Sequence, residues 1–188
     1  MEHTLQIWSV IGTWVASIGT VGAVITSLWL ASNANKVKLK VFAGHRILIS
    51  KLEKINEDYC CIQVINTGAR PVKITNICWQ AGRFKNKQFM VQIFGNPNSD
   101  NVPKMLTEGE EAIIMVPLAL RGNDEDWLIS MSKTLTEKGN NIRTLKVSVS
   151  TSVGQQFIVP VEDTLKEKLL AQAKTNKKIK WDCGVPPF

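Results

Sequence analysis

The hydrophobic and polar positions divide the chain into an apolar beginning and a longer alternating part. From His3 to Asn35 there is no Asp, Glu, Lys or Arg, and the apolar run from Ile7 to Ala31 spans 25 residues. At about 1.5 Å per residue, this run exceeds the roughly 30 Å hydrocarbon core of a bilayer. No Lys or Arg precedes it, unlike in a cleaved signal peptide. The pattern therefore predicts one retained transmembrane helix.

The charges that flank this helix predict its orientation. Only Glu2 precedes the apolar run, whereas Lys36, Lys38, Lys40 and Arg46 follow it closely. Segments rich in Lys and Arg beside a span stay in the cytoplasm. We therefore expect a single-pass membrane protein with its N-terminus outside and its larger domain in the cytoplasm.

The rest of the chain alternates with the period of two that is typical of strands. Strands are predicted for the run that begins at Lys36 and for residues 59–66, 71–82, 87–95, 110–120, 142–152 and 155–162. Residues 96–103 read as a polar loop, and Pro117 suggests an edge strand or a bulge. About seven short strands with turn signals between them are typical of an antiparallel sandwich. The predicted class is mainly β, with an Ig-like sandwich.

Two helices are predicted beside these strands. One is short and covers residues 124–138, and the other runs from Asp163 or Thr164 to about Lys174 with an apolar stripe. The expected domains are residues 1–35 for the transmembrane helix and its flanks, 36–162 for the sandwich, and 163–188 for the C-terminal helix and a basic tail.

On a helical wheel, the transmembrane segment separates into a bulky face and a small, weakly polar face. Four of the small residues step by four, three and four, as in the seam of a left-handed helix bundle. Because each chain has one span, a partner helix must come from another chain. The face predicted to line an oligomer or a pore comprises Ser9, Gly12, Thr13, Ala16, Gly19, Thr20, Ala23 and Ser27.

Two outcomes of such packing stay open. Four or five copies, with a tetramer as the working number, would stack the hydroxyl groups of this face along an axis, where they could hydrate an ion. The same face could instead close into a dry bundle.

Basic residues outnumber acidic ones by 23 to 16, for a net charge of +7. Such a surplus favours anionic partners. Lys36, Lys38 and Lys40 are interpreted as lipid-facing. The candidates for an anionic ligand such as single-stranded DNA, for which an aromatic ring offers a stacking face, are Lys174, Lys177, Lys178, Lys180, Trp181, Arg70 and Lys73.

The sequence offers no motif for catalysis, metal binding or a cofactor. His3 and His45 are its only histidines, and neither supports a Ser-His-Asp set. The four cysteines lack paired metal-ligand spacing. The adjacent Cys60 and Cys61 should point to opposite faces of a strand. We therefore expect a protein that is not an enzyme, with free thiols and no cofactor.

Three stretches carry a family resemblance: IGTWVASIGT, KVKLKV and INTGARPVKITNICW. Together they resemble a group of bacterial single-span membrane proteins with a cytoplasmic β-sandwich, and within it the membrane effectors of Hailong anti-phage defence systems. The resemblance implies an oligomeric channel. It also implies a partner nucleotidyltransferase whose short DNA oligomers hold the channel shut until infection removes them. It assigns no ligand-binding residue.

Two functions follow as expectations. The first is a homo-oligomeric inner-membrane effector that forms a gated pore or a membrane-disrupting bundle in anti-phage defence, under the control of a basic domain that senses an anionic ligand. The alternative is a membrane-anchored protein-interaction module whose span dimerises.

Overall fold

The structure is a computed structural model that describes residues 2–49, 57–83, 87–92, 99–119, 126–137, 139 and 141–182. Three helices and eight strands lie within these residues. The helices are α1 (Glu2–Ala34), α2 (Trp127–Glu137) and α3 (Asp163–Asp182). The strands are β1 (Leu39–Leu48), β2 (Glu57–Asn66), β3 (Val72–Ala81), β4 (Gln88–Val91), β5 (Lys104–Leu106), β6 (Glu111–Pro117), β7 (Lys146–Thr151) and β8 (Gln156–Pro160).

The strands form two antiparallel sheets. The first sheet has the order β1-β2-β6, and the second has the order β4-β3-β7-β8. The short strand β5 pairs with the start of β3, where Val72 lies opposite Leu106, and β4 pairs with its end, where Ala81 lies opposite Gln88. Strand β2 belongs to the first sheet and β3 to the second. The chain therefore crosses from one sheet to the other in the tight turn at residues 67–71.

Alternating residues of both sheets share one apolar core. Ile62 and Ile114 of the first sheet and Ile77 and Val147 of the second are each 0% exposed and belong to the same cluster. Removing such side chains from water is worth about 25 cal/mol per Å² of apolar area. Burial on one side of each strand therefore produces the period of two seen in the sequence.

The C-terminal helix α3 is packed onto this core. Leu165 and Leu169 are 0% exposed and Ala173 is 8% exposed, at the spacing of one helical stripe. The α2 residues Met131 and Leu135 belong to the same cluster. The fold therefore mixes helices with two antiparallel sheets, and the predicted class of mainly β is too narrow for it.

Helix α1 differs from the other helices because its described side chains are not buried by the rest of the chain. Its segment Gln6–Ala34 has 29 residues and a mean hydropathy of 1.6. By length and composition, it is a helix that could cross a membrane. Large apolar side chains along it, such as Trp14 at 68% and Ile18 at 69%, are exposed in the single chain.

Most predicted elements are present, with shifted boundaries. β1 continues to Leu48 because it pairs with β2 over its whole length, from Leu39 opposite Asn66 to Leu48 opposite Glu57. The three-residue β5 and a short 3-10 helix (Ile142–Thr144) were not expected from the pattern. Pro117 ends an edge strand, as predicted. Parts of the predicted segments 87–95, 96–103, 110–120 and 124–138 lie outside the described residues.

The packing of α3 predicts that shortening Leu169 destabilises the whole domain. Leu169→Ala should lower the free energy of unfolding by about 2–5 kcal/mol, because it opens a cavity at a fully buried site. Chemical denaturation followed by circular dichroism measures this. The exposed Glu167 on the same helix provides the control, and Glu167→Ala should change stability by less than about 0.5 kcal/mol. Equal effects would show that α3 does not contribute to the core.

Candidate functional site

The small, weakly polar face of α1 is fully accessible. All of its predicted members are exposed: Ser9, Gly12, Thr13, Ala16, Gly19, Thr20, Ala23 and Ser27. A methyl group placed on Gly12, Gly19 or Gly22 would meet no atom within 4 Å. The described chain therefore leaves room for another helix to approach this backbone closely.

The hydroxyl groups of α1 bond within their own helix. Thr13 donates to the Ser9 carbonyl at 3.0 Å, Thr20 to the Ser17 carbonyl at 2.9 Å, and Ser27 to the Ala23 carbonyl at 2.8 Å. Each donor is satisfied in a lone helix, so these hydroxyls can enter lipid without a partner. Association of α1 helices is therefore favoured by the small side chains, which allow close packing of two backbones, more than by hydrogen-bond donors that lack a partner.

The polar face is also less uniform than the wheel suggested. Val24 lies about 20° from Thr13 at helical spacing and is 58% exposed. It separates Ser27 from the hydroxyl groups nearer the N-terminus. If copies of α1 surround an axis, the rings of hydroxyl oxygens are interrupted by one apolar ring.

The residues that follow α1 are bonded to the turn between β2 and β3. Lys38 contributes its carbonyl oxygen, which accepts from the Thr67 amide at 2.9 Å and from the Thr67 hydroxyl at 3.2 Å. Arg70 donates from Nη1 to the Asn35 carbonyl at 3.3 Å. Val37 is 7% exposed and belongs to the core. We call residues 35–38 the linker and residues 67–70 the junction turn.

The predicted basic residues lie at two ends of the domain. Lys36, Lys38, Lys40 and Arg70 are exposed near the linker, and Lys73 is exposed on β3 just beyond the turn. Of these, Lys40 also lies over the Phe42 ring, 5.1 Å from its centroid.

The tail lysines lie far from the linker. The Glu162 amide, just before α3, bonds the Ala43 carbonyl, whereas Lys168 reaches Asp58 at the far end of β1 and β2. Helix α3 therefore runs away from the linker and carries the exposed Lys174, Lys177 and Lys178 with it. The side chains of Lys180 and Trp181 lie outside the described part. Arg70 and the tail lysines consequently form two separate basic areas.

Two carboxylates fasten the C-terminal segment to the first sheet. Asp58 accepts from Lys168 at 2.7 Å and contacts His45 Nε2 at 2.7 Å. Glu162 forms a two-bond pair with Arg46, at 2.7 and 2.9 Å. The Lys168 hydrogen bond, followed by the His45 hydrogen bond, holds the pKa of Asp58 below its usual value despite some burial. The Arg46 hydrogen bond likewise lowers the pKa of Glu162.

The outer face of the second sheet carries exposed apolar side chains on β4 and β8, with the half-buried Cys78 and the buried Ser148 between them. Val91 lies opposite Cys78, Cys78 opposite Ser148, and Ser148 opposite Ile158, so that these four residues form one row. Phe89 is 68% exposed beside the row, and Met105 is 56% exposed on β5. The exposed Lys73 and Lys146 lie on β3 and β7, at opposite ends of the sheet. None of the outward-facing residues described on this sheet is acidic.

The cysteines are placed as the strand pattern predicted where they are described. Cys60 points into the core, and Cys61 lies half-buried on the opposite face of β2. Burial raises the pKa of both thiols. Cys183 lies outside the described residues. Within the described residues, no three His, Cys, Asp or Glu side chains are grouped as a metal site would require.

Sequence inspection missed the buried Asn66 at the junction turn and the exposed Phe89 on β4. Asn66 is 0% exposed and bonds backbone groups of two loops. The motif Asn-Thr-Gly indicates a turn, and a polar residue at the end of an apolar strand also indicates a structural hydrogen bond. Phe89 gave no signal, because the outer and inner faces of an isolated short strand are equivalent in sequence.

Comparison with known proteins gives no family. No protein-family model matches the chain, and no curated protein matches it. Two solved structures are similar in part. One is a Bordetella pertussis protein named ApaA, at 13% identity over 67% of this chain and 89% of that chain, with a TM-score of 0.30. The other is the structural genomics target SoR45, at 8% identity over 69% and 84%, with a TM-score of 0.28. Neither similarity bears on function.

The carboxylate pairs predict acid-sensitive attachment of the C-terminal segment. A carboxyl whose pKa is lowered by folding stabilises the fold above its unfolded pKa, about 4, and loses that contribution as the pH falls through its folded pKa. Asp58→Asn/Glu162→Gln should therefore be less stable than wild type at pH 7, and the difference should shrink progressively as the pH falls below about 4. Denaturant melts at several pH values measure this.

The exposed carboxylate of Glu167 on α3 supplies the control for this experiment. Glu167→Gln should follow the wild-type pH dependence. A stability difference between the double variant and wild type that stays constant down to pH 2 would contradict the assignment.

Proposed function

We propose that this protein is a homo-oligomeric effector of the bacterial inner membrane. In this proposal α1 crosses the bilayer with its N-terminus outside and associates through its small face, forming a gated pore or a membrane-disrupting bundle. The larger domain lies in the cytoplasm and controls the helices by sensing an anionic ligand such as a short DNA oligomer. The resemblance to Hailong membrane effectors supports a role in anti-phage defence.

One observation carries the proposal: α1 is a long apolar helix with an uncovered face of small residues. Bulky apolar side chains on the opposite side, such as Ile11 and Ile18, suit lipid. The open space beside Gly12 and Gly19 suits close contact between helices. A helix that only anchored the domain would not need one face of bulky residues and another of small residues.

The positive charge of the domain supports the second part of the proposal. Lys36, Lys38 and Arg70 are exposed beside the end of α1, where anionic lipid would attract them. Lys174, Lys177 and Lys178 lie at the other end, away from that surface, and so are better placed for a soluble anion. The two basic areas can therefore serve different partners.

The strand order supports an Ig-like sandwich as the finer fold. In that fold, strands A, B and E form one sheet and strands C, F and G the other. Here β1-β2-β6 corresponds to A-B-E, and β3-β7-β8 corresponds to C-F-G. Helix α2 lies in the connection between β6 and β7.

The pore is tested by ion flux from liposomes that contain the purified full-length chain, with and without short single-stranded DNA. Thr13→Leu/Thr20→Leu should reduce the maximal flux about tenfold or more, because a ring of apolar bulk dries a narrow pore. The control Ile18→Leu/Ile25→Leu changes the opposite side of α1 and should leave flux unchanged.

Three results would oppose the pore. These are an absence of flux from wild type under every condition, equal flux from both double variants, and a monomer in mild detergent. A membrane-disrupting bundle without a pore would release large dyes as readily as ions.

A second function is favoured by the outer face of the second sheet. Its exposed apolar side chains Phe89, Val91 and Ile158, together with lysines at opposite ends of β3 and β7, fit a protein segment that alternates apolar and acidic residues. Among the residues described on this face, Phe89 could stack on one base, whereas proteins that bind single-stranded nucleic acid stack successive bases on several aromatic rings. On this account the chain is a membrane-anchored interaction module, and α1 serves to hold and dimerise it.

A synthetic Glu-Val repeat peptide probes this face. It should bind the detergent-solubilised chain, as measured by fluorescence anisotropy, and Phe89→Ser/Ile158→Ser should weaken binding about tenfold. Val153→Ser removes an equally exposed apolar side chain outside this row and should have no effect. Equal binding of a Lys-Val repeat, or preferential binding of single-stranded DNA, would contradict an acidic protein partner.

A further inference from the structure

We infer that the junction turn is a clamp that makes the linker part of the sandwich, so that α1 is rigidly coupled to the domain. The inference rests on the proposed function for its biological meaning, since it names how the domain would control the helices. Its physical content, a linker held in place, stands independently of conduction.

The first part of the evidence is the number of constraints on a very short linker. Only residues 35–38 separate the end of α1 from β1. Lys38 accepts two hydrogen bonds through one carbonyl oxygen, Arg70 bonds the Asn35 carbonyl, and Val37 is in the core. A flexible tether would leave these backbone groups to water.

Close contact between backbones adds to these bonds. A methyl group on Gly68 would lie 3.3 Å from the Lys38 amide nitrogen and 3.4 Å from the Lys36 carbonyl oxygen. The glycine therefore lets the junction turn lie directly against the linker. The contact leaves little room for either segment to slide past the other.

The second part is the way in which Asn66 fixes the junction turn to both sheets. Its side-chain amide donates to the Arg70 carbonyl at 2.9 Å and to the Leu106 carbonyl at 3.2 Å, and its side-chain oxygen accepts from the Gly68 amide at 3.0 Å. Its backbone pairs with Gly109 and Glu110, at 2.9 and 3.0 Å.

These contacts define a path from the sheets to the membrane helix. Leu106 ends β5 of the second sheet, and Glu110 precedes β6 of the first. Asn66 ends β2 and bonds both. A shift of one sheet against the other would therefore strain Asn66, move the junction turn, and displace the linker carbonyls at residues 35 and 38. The clamp converts movement inside the domain into movement of α1.

The experiment compares two double variants of the full-length chain. Thr67→Val/Arg70→Ala removes the two side-chain bonds to the linker. Thr75→Val/Arg143→Ala removes the Thr75 bond to the Ser150 carbonyl, 3.1 Å long, and an exposed arginine, both away from the linker. Trypsin cleavage after Lys36 and Lys38 in mild detergent reports how often the linker opens.

Linker cleavage should be about tenfold faster in Thr67→Val/Arg70→Ala than in wild type, because each lost bond favours local opening. It should be unchanged in Thr75→Val/Arg143→Ala. The thermal unfolding of the two variants should be similar, which excludes global destabilisation as the cause. In liposomes, any change in wild-type flux caused by short single-stranded DNA should persist in Thr75→Val/Arg143→Ala and disappear in Thr67→Val/Arg70→Ala.

The outcomes separate the clamp from the pore. Equal linker cleavage in the two double variants would overturn the clamp. Faster cleavage with an intact flux response would show that the clamp holds the linker without transmitting control, which overturns the coupling. An absence of flux from all proteins would contradict the pore alone, and the cleavage rates would still decide whether the linker is held.

Discussion

The carbonyl oxygen of Lys38 is where the two unlike parts of this chain are joined. Before it lies a helix whose surface suits lipid, and after it begins the first strand of a water-facing domain. Because that oxygen accepts two bonds from Thr67, the direction in which the chain leaves α1 is fixed by the fold of the domain. If a membrane surrounds α1, the domain can neither rotate nor tilt freely beneath it, and control through the domain becomes physically possible.

The buried side chain of Asn66 explains why this joint can be rigid without a large interface. A buried amide that loses its partners costs about 1–3 kcal/mol, so each of its bonds resists distortion. Asn66 places three side-chain bonds within a single turn, and all of them go to backbone groups. Backbone partners do not change rotamer, and the turn therefore keeps one geometry. A charged pair at the same buried place would instead have carried the cost of removing two ions from water.

Sequence alone could predict the elements that repeat a pattern. The charge-free run predicted α1, and alternation predicted β2 and β3 nearly to the residue, because burial on one side leaves a clear period. It could not predict β5, since three residues carry no period, nor the full length of β1, which depends on pairing with β2. The division of α1 into a bulky and a small face stays a prediction of the wheel, because the single chain leaves all sides of this helix exposed. The separation of Arg70 from the tail lysines was not, because it depends on the direction of α3.

The separation of charges also limits how a ligand could act. An anion bound at Lys174, Lys177 and Lys178 would lie at the end of the domain opposite the linker, and its effect would have to pass through α3 and the first sheet. The carboxylates of Asp58 and Glu162 form that connection, because they tie α3 and its start to β1, the strand that continues from the linker. A ligand that displaced α3 would therefore also displace β1, which continues from Lys38. If the proposed function holds, the two carboxylate pairs and the junction turn would connect an anion bound at the tail lysines to α1.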